Sequence, residues 1–516
     1  MEKAEVASPQ AQRALELLTG ALTWGLITAP VWGAVLAPAK WAWLATAFSL
    51  YWLYKSLSVA VSATLAYRRL ELARSHDWLS AVQRRPGWRN VHHLIVFPCY
   101  TEPLSVLADS LQHLVEQDYP RDRISVLLAF EERETGAPAK ARQLQEMFAG
   151  QFANLWTTFH PDRPGEVWGK SSNLAYAVPW ARRALAADAA IHLGRVLVTI
   201  CDADARLDAR YLSALTWRYL EEPDAEYVLY QPVVFFHANI RRLPLPLRIL
   251  NSMYSVMQLS RMLVGFRLIT QSNYSLPLEL CHRAGYWDVD VIPEDSHMFF
   301  KALFRCGERV RVVPLFVPVW SDAAEGACWW RTVLSHYRQA RRWAWGISDV
   351  PYLLWQAARE RRGRMAPRYI HAAHYAHEHF LWPSHWFWLV GSFNLLPFLA
   401  PSFAASHIGR DLAELSSAAY TACLPSLLVL VWLNWKLRPP GGSRSLREVV
   451  DFVAAWVCLP VVGFALVALP AVDAHSRLLL GRYLRYQVTE KQGRPLRERG
   501  GAPAGATPLA RPGEAA

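Results

Sequence analysis

Four long apolar stretches limit what this chain can fold into more than any other feature. They cover residues 17–39, 41–67, 380–403 and 415–435, and Lys55 is a charge within the second of them. About 20 consecutive apolar residues are enough for a helix to cross the hydrocarbon core of a bilayer. We therefore expect a permanent membrane hairpin at the start of the chain and further membrane helices near its end.

Two features of these apolar stretches leave alternatives open. A fifth run, 452–472, is long enough to span but contains Pro460 and Pro470, so it could span, bend or lie at the interface. Lys55 is the second feature, because a charge within a span is costly and often marks a functional path. Extension of its ammonium group to the interface is the simpler explanation.

The composition agrees with a membrane protein. Hydrophobic residues make up 53% of the chain and charged residues only 19%, compared with about a quarter charged residues in soluble domains. The net charge of +12 favours anionic lipid headgroups. A nucleic-acid partner is not expected, because no module of basic and aromatic residues is present.

The distribution of arginine predicts the orientation. Arginines are concentrated at 68–85 and 359–368, on either side of the long segment between the second and third apolar stretches. Positive loops stay in the cytosol, so we expect a multi-pass protein of the inner or plasma membrane with its long central segment in the cytosol. The expected division is a transmembrane hairpin at 1–67, a cytosolic domain with interfacial helices at 68–379, transmembrane or interfacial helices at 380–487, and a basic, disordered tail at 488–516.

The central segment has the pattern of an α/β domain. Short apolar runs at 94–98, 124–130 and 196–201 alternate with helical patterns at 104–116, 137–149 and 209–220, which is typical of a parallel sheet. In such sheets, ligands bind beyond the carboxyl ends of the strands. A further helix-length stretch at 243–264 could lie on the membrane surface or in the domain core.

Two carboxylates, Asp202 and Asp204, follow the third of these strand-like runs. Alternate residues of an extended chain point to the same side, so we expect both to face one site. Paired carboxylates suit a hard divalent ion such as Mg²⁺ or Mn²⁺ that is shared with substrate phosphates. Taken alone, this motif is more common in polar turns, and its position after an apolar strand strengthens the case for a metal site.

Two later motifs lie at expected helix starts. Lys170 follows Gly169, and a cation at a helix amino terminus favours an anionic ligand, although a capped helix with a solvated lysine explains it nearly as well. Glu294 and Asp295 follow Pro293. They could be simple helix caps, or Asp295 could be a general base with Glu294 as a supporting group.

A basic and aromatic motif comes last. Gln339 and Arg342 are three residues apart on an expected helix and share a face, and Trp343 follows directly. Arginine binds phosphate oxygens well and tryptophan offers a flat surface to a sugar ring. An interfacial helix beside a membrane would have the same composition.

The order of these motifs resembles the family-2 glycosyltransferases, especially the membrane-integrated branch that includes cellulose and hyaluronan synthases. The similarity covers residues 93–346. It implies an α/β GT-A fold with a mostly parallel sheet, inserted between transmembrane helices. It also implies inverting transfer from a nucleotide-diphosphate sugar, with UDP-sugars as the first expectation.

The resemblance also implies roles for single residues. Asp202 and Asp204 would hold the diphosphate and the metal, and Asp295 would be the base, with Glu294 beside it. Trp343 would contact the acceptor. The other residues would bind the donor: Tyr100, Glu102, Glu131, Lys170, Gln339 and Arg342. Thr101, Glu131 and Pro293 replace residues usual in the family, which leaves the base and sugar identity open.

Three functions are compatible with these motifs. The leading hypothesis is extension of a growing glycan, coupled to passage through the membrane helices. The alternatives are a single addition to a lipid or polyprenyl-phosphate acceptor, and a membrane scaffold that has lost catalysis. The partners expected for the enzyme are a nucleotide-sugar, a glycan or lipid acceptor, and membrane lipids.

Overall fold

The computed structural model describes residues 8–359, 366–437 and 446–485. The predicted tail at 488–516 and the arginines at 361, 362 and 364 lie outside the described residues. The first part of the chain contains helices α1 and α2, the sheet and its flanking helices. The remaining helices follow in the other two parts.

Eight strands form one sheet within the part of the chain that the structure describes. They are β1 His92–Cys99, β2 Ile124–Glu131, β3 Asn154–His160, β4 Val196–Ile200, β5 Arg206–Leu207, β6 Val228–Phe235, β7 Tyr274–Pro277 and β8 Arg311–Trp320. Their order across the sheet is β3-β2-β1-β4-β7-β6-β8-β5. The three strands predicted from the sequence are confirmed as β1, β2 and β4.

The sheet is mixed, whereas the sequence predicted a mostly parallel one. Strands β3, β2, β1 and β4 are parallel neighbours, and β6 is parallel to β8. Strand β7 runs antiparallel to both β4 and β6, and β5 runs antiparallel to β8. Because β7 is antiparallel to β4, its first residue, Tyr274, pairs with the last residue of β4, Ile200. The loop before β7 therefore lies beside the carboxyl end of β4.

Helices precede the sheet and flank it. They are α1 Pro9–Leu36, α2 Pro38–Ser75, α3 Trp78–Gln83, α4 Leu104–Val115, α5 Ala137–Met147, α6 Lys170–Ala186, α7 Tyr211–Glu221, α8 Leu245–Arg261, α9 Leu278–Arg283, α10 Glu294–Cys306, α11 Trp329–Ala344 and α12 Asp349–Arg359. The helices predicted at 104–116, 137–149 and 209–220 are confirmed as α4, α5 and α7. Helices α6 and α10 begin at the predicted motifs, with Lys170 and Glu294 as their first residues.

The sheet is covered on both faces. Side chains of a strand alternate between the two sides, and in β1 Leu94 and Val96 pack into one hydrophobic core while Ile95 and Phe97 pack into another. The carboxyl ends of β2, β1 and β4 lie at one edge because these strands are parallel neighbours.

The carboxyl-terminal helices are interrupted more often than the sequence suggested. They are α13 Ala366–Asn394, α14 Leu396–Leu399, α15 Pro401–Ala404, α16 His407–Thr421, α17 Leu424–Lys436, α18 Leu446–Val457, α19 Leu459–Gly463 and α20 Leu469–Leu479, with a π-helical turn at Phe464–Ala468. The third predicted stretch, 380–403, is not one helix, because α13 ends before Pro397 and Pro401. Proline lacks the backbone donor that would continue a helix.

Three helical segments are long and apolar enough to cross a membrane within the described residues: Pro9–Leu36, His407–Lys436 and Leu459–Leu479. They overlap the first, fourth and fifth predicted stretches. The second predicted stretch lies on α2 and the third begins on α13. Neither of these helices is among the three segments. The hairpin, its orientation and the multi-pass topology stay predictions of the sequence.

Helix α8 connects the sheet to the long apolar helices. Val256, Leu259 and Met262, at the end of α8, share a buried cluster with Val233 and Phe235 of β6 and with residues of α2 and α17, namely Ala63, Ala66, Leu70, Leu430, Leu433 and Leu437. The sequence left open whether the stretch at 243–264 lies on the membrane surface or in the domain core. This packing agrees with a helix in the core. We call this cluster the shared core.

Candidate active site

Asp202 lies in the turn that follows β4. Its backbone N–H donates to Asn273 Oδ1 over 2.7 Å. Its carboxylate receives two further contacts, from Lys170 Nζ to Oδ1 at 3.0 Å and from Ser272 Oγ to Oδ2 at 2.6 Å. The loop before β7 thus holds Asp202 by backbone and side chain together.

Lys170 is the cation of this site and is only 9% exposed. Besides Asp202, its Nζ lies 2.8 Å from Glu294 Oε1 and donates to the carbonyl oxygen of Ser272 over 2.7 Å. Burial alone would lower the pKa of the Lys170 ammonium, but Asp202 and Glu294 outweigh burial and hold the pKa well above its ordinary value. Lys170 is therefore charged and joins two motifs that are far apart in the sequence.

Glu294 and Asp295 open α10 beside Lys170. Burial raises the pKa of Glu294 to about 7, with Lys170 opposing the rise and Asp295 adding to it. Burial likewise raises the pKa of Asp295, against the hydrogen bond from the backbone of Ser272. Asp295 Oδ2 accepts from Ser272 N–H over 2.6 Å, and Oδ1 accepts from Ser296 N–H over 2.8 Å. Both oxygens of Asp295 are thus fixed in direction.

Ser272 connects the two acidic motifs, and the sequence analysis missed it. Its φ of 56° lies in the left-handed region, which non-glycine residues seldom adopt. In this conformation its hydroxyl reaches Asp202, its N–H reaches Asp295 and its carbonyl accepts from Lys170. The available signal was the run of three polar residues, 271–273, directly before an apolar strand.

Asp204 contacts the segment that follows β8. It is 1% exposed and its Oδ2 accepts from the backbone N–H of Asp322 over 2.6 Å. The argument that both carboxylates face one side assumed an extended chain, but β4 ends at Ile200 and the Ala205 N–H donates to the Asp202 carbonyl in a turn. Asp202 and Asp204 therefore lie in a turn and not in an extended strand.

The predicted nucleotide-side residues follow β1 and β2 at the same edge of the sheet. Glu102 Oε2 accepts from the backbone N–H of Tyr100 over 2.6 Å. Buried Glu131 lies 3.3 Å from His160 Nδ1 and 3.6 Å from Arg133 Nε. Arg133, which the sequence analysis did not single out, stacks its guanidinium 4.0 Å from the Tyr100 ring centroid. These residues form a polar and aromatic patch around Arg133.

The predicted motif on α11 packs against the end of β6 and against α8. The Trp343 ring lies 5.6 Å from that of Phe236 and 5.1 Å from that of Tyr254, between centroids. Gln339 is largely buried and Arg342 is partly exposed. The neighbouring Arg341 pairs with Asp473 of α20 at 2.8 Å. The structure therefore gives Trp343 aromatic neighbours, while Asp202, Glu294 and Asp295 are joined around Lys170 and Ser272.

A buried ionic network beside Asp295 was also missed. His297 Nδ1 lies 2.8 Å from Asp349 Oδ1 and its Nε2 lies 3.0 Å from Asp288 Oδ2. Burial opposes the charge on His297, but Asp349 and Asp288 outweigh it and raise the pKa to about 10. Ser296 Oγ also donates to Asp349 Oδ2 over 3.0 Å. Asp349 thereby ties the segment after Trp343 to the start of α10.

Residues 197–436 match the family model for glycosyl transferase family group 2. The matched region contains Asp202, Ser272, Glu294, Asp295 and the motif on α11. No curated protein matches the chain.

Solved structures give only distant likenesses. The mannosyltransferase PcManGT from Pyrobaculum calidifontis, solved with GDP-Man and Mn²⁺, is 18% identical, with a TM-score of 0.38 over 78% of this chain and 98% of that one. Residues 1–349 of TarS from S. aureus, solved with UDP-GlcNAc, are 12% identical, with a TM-score of 0.34 over 77% and 94%. Likenesses this distant assign no function to the chain. The family match, which includes the acidic site, identifies the chain as a glycosyltransferase.

Proposed function

We propose that this glycosyltransferase moves a sugar from a nucleotide-diphosphate donor to an acceptor hydroxyl by an inverting single displacement. One observation carries the proposal: Lys170, Asp202, Glu294 and Asp295 come together around Ser272. Sugar transfer requires one base and neutralisation of a departing anion. This group of side chains supplies both.

Asp295 is proposed as the base that takes the proton of the acceptor hydroxyl. Its carboxylate is oriented by two backbone N–H groups and is partly exposed, so an acceptor can reach it. Its raised pKa makes it a stronger base than an ordinary aspartate. Glu294 is proposed as a supporting group, since it precedes Asp295 directly and lies 2.8 Å from Lys170 Nζ.

The residues present fit a divalent cation. Three carboxylates, Asp202, Glu294 and Asp295, are grouped around a single ammonium group, and carboxylate oxygens are the ligands that Mg²⁺ and Mn²⁺ prefer. We propose that Asp202 and Asp204 hold the ion. When bound, the ion would neutralise the diphosphate leaving group.

The remaining donor and acceptor residues are assigned by position. Tyr100, Glu102 and Glu131 lie at the carboxyl ends of β1 and β2, where nucleotides bind in open α/β sheets. Gln339 and Arg342 are proposed to contact the diphosphate, and Trp343 the acceptor end. UDP-sugars are the first donors to test.

The leading proposal for the product is a glycan extended at a membrane surface. Its support is the shared core, which packs the sheet directly against α2 and α17. In this proposal residues 68–379 form the cytosolic catalytic domain, and the growing chain leaves along the apolar helices of the hairpin at 1–67 and of 380–487.

The test is a donor panel with the purified full-length protein in the presence of Mg²⁺ or Mn²⁺. Nucleotide release identifies the donor, and product size from a labelled donor identifies the mode of transfer. A ladder of products supports extension, while a single shift on a polyprenyl phosphate supports single addition. Failure to release nucleotide from any donor of the panel would contradict the proposed chemistry.

A further inference from the structure

A second group of metal-ligand side chains lies on α13, outside the site described above. His374, His377 and Glu378 each offer one ligand atom, and these three atoms all lie within 4.8 Å of one another. His377 is exposed, and the other two residues are partly buried.

The spacing on α13 explains why the three side chains meet. His374 and His377 are three residues apart, and His374 and Glu378 are four apart, so all share one face of the helix. Two imidazoles and a carboxylate are a ligand set of Zn²⁺, which binds three protein ligands and leaves one position open. Imidazole also suits Co²⁺, Ni²⁺ and Cu²⁺, whereas Mg²⁺ prefers oxygen ligands alone.

Helix α2 supplies partners to two of these ligands. Tyr51 OH lies 3.3 Å from His377 Nε2, while His377 Nδ1 lies 3.4 Å from Glu378 Oε1. The ring therefore directs Nδ1 toward the carboxylate and Nε2 toward the hydroxyl of Tyr51. Metal-bound histidines commonly hold their second nitrogen in such a hydrogen bond.

Lys55 is the second residue of α2 that contacts the cluster. Its Nζ lies 2.6 Å from Glu378 Oε1, so the charge within the second apolar stretch pairs with a carboxylate of α13. An ammonium group at this position repels a cation that approaches Glu378. The same pair therefore ties α2 to α13 and weakens any metal site.

We propose that His374, His377 and Glu378 bind a divalent transition-metal ion of the zinc type, with Tyr51 as the outer partner of His377 and Lys55 as a competitor for Glu378. The ion is separate from the one assigned to the active site, because its ligands are mainly nitrogen. It would lie where α13 packs on α2, at the predicted boundary between the catalytic domain and the third apolar stretch.

The experiment uses the purified full-length protein, stripped of metal with a chelator and kept in excess Mg²⁺. Co²⁺ is titrated and followed by its visible absorption, and Zn²⁺ is measured by competition with a coloured chelator. We expect one site per chain. His374→Gln and His377→Gln should each weaken binding by about 100-fold or more, since even the loss of an outer partner costs about 10–100-fold.

Two further variants test the assigned roles. Lys55→Met should tighten binding by about tenfold, as expected when a unit charge is removed a few ångströms from the ion. Tyr51→Phe should weaken it by about tenfold. His407→Gln changes an exposed histidine of α16 and should leave the titration unchanged.

The results that overturn the proposal are equally definite. They are the absence of a Co²⁺ absorption band in the wild-type protein, or a titration that His374→Gln and His377→Gln leave unchanged. Weaker binding by Lys55→Met would also contradict it. Unchanged thermal unfolding of each variant without metal shows that the fold is kept.

Discussion

The backbone N–H of Ser272 donates to Asp295 Oδ2 over 2.6 Å. The two residues come from different motifs, and the contact requires Ser272 to hold a φ of 56°. The same residue places its hydroxyl on Asp202. The direction of the proposed base therefore depends on a left-handed serine in the loop before β7.

Substitutions at Ser272 separate its conformation from its hydroxyl. Ser272→Gly and Ser272→Ala both lose the hydrogen bond to Asp202, but glycine adopts the left-handed region without strain. We expect the alanine variant to be less stable than the glycine variant by about 1 kcal/mol. Denaturant unfolding of the two purified variants measures this difference, and equal stabilities would mean that the conformation costs nothing.

Asp295→Asn removes the proposed base and keeps the size of the side chain. We expect transfer to fall by about 10²–10⁴-fold, the usual contribution of a general base. The rate is measured with a labelled donor at saturating concentration. Asp290→Asn, at an exposed position five residues earlier, is the matched control, and a similar loss in both variants would argue against a specific role.

Glu294 should make stability depend on pH in the acidic range. Its pKa rises from the ordinary 4.5 to about 7 on folding, so the protonated form is favoured in the folded protein. Its stabilising contribution is full below pH 4.5 and is lost as the pH rises through 7. The melting temperature of Glu294→Gln, relative to wild type, should therefore increase between these pH values and then stay level.

The control for this comparison is Glu308→Gln, which changes an exposed carboxylate at the end of α10. Its melting temperature should follow that of the wild type across the same range. A Glu294→Gln curve that also follows the wild type would show that Glu294 titrates normally in the folded protein.

His297 should act at higher pH. Its pKa rises from the ordinary 6.5 to about 10 because Asp349 and Asp288 outweigh burial. The charged form stabilises the fold fully below pH 6.5, and this contribution is lost as the pH rises through 10. The stability advantage of wild type over His297→Gln should therefore shrink across that range, as measured by thermal unfolding. His192→Gln, an exposed histidine, should show no such trend.

The sequence predicted the elements that carry the chemistry better than the contacts between them. The strands before Tyr100, Glu131 and Asp202 are confirmed because apolar runs that end in polar residues are a local signal. The helix starts at Lys170 and Glu294 are also confirmed, because the preceding residues, Gly169 and Pro293, are local signals too. Each of these predictions depends on fewer than about ten neighbouring residues.

The missed features depend on pairing between distant segments. Ser272 reaches Asp202 because β7 inserts antiparallel to β4, and strand direction is not visible in a short apolar run. Asp349 reaches His297 across 52 residues. The extended chain expected through Asp202 and Asp204 is instead a turn after Ile200, and a common site for the two carboxylates stays a prediction.

The shared core determines how the enzyme can be dissected. Truncation to residues 68–379 would cut α2 within its length and remove α17, leaving Phe235, Val256, Leu259 and Met262 facing water. An uncovered apolar surface of this kind promotes aggregation. The proposed catalytic domain therefore needs the apolar helices as a folding partner, and a soluble excised domain would be a poor substitute for the intact protein in detergent or lipid.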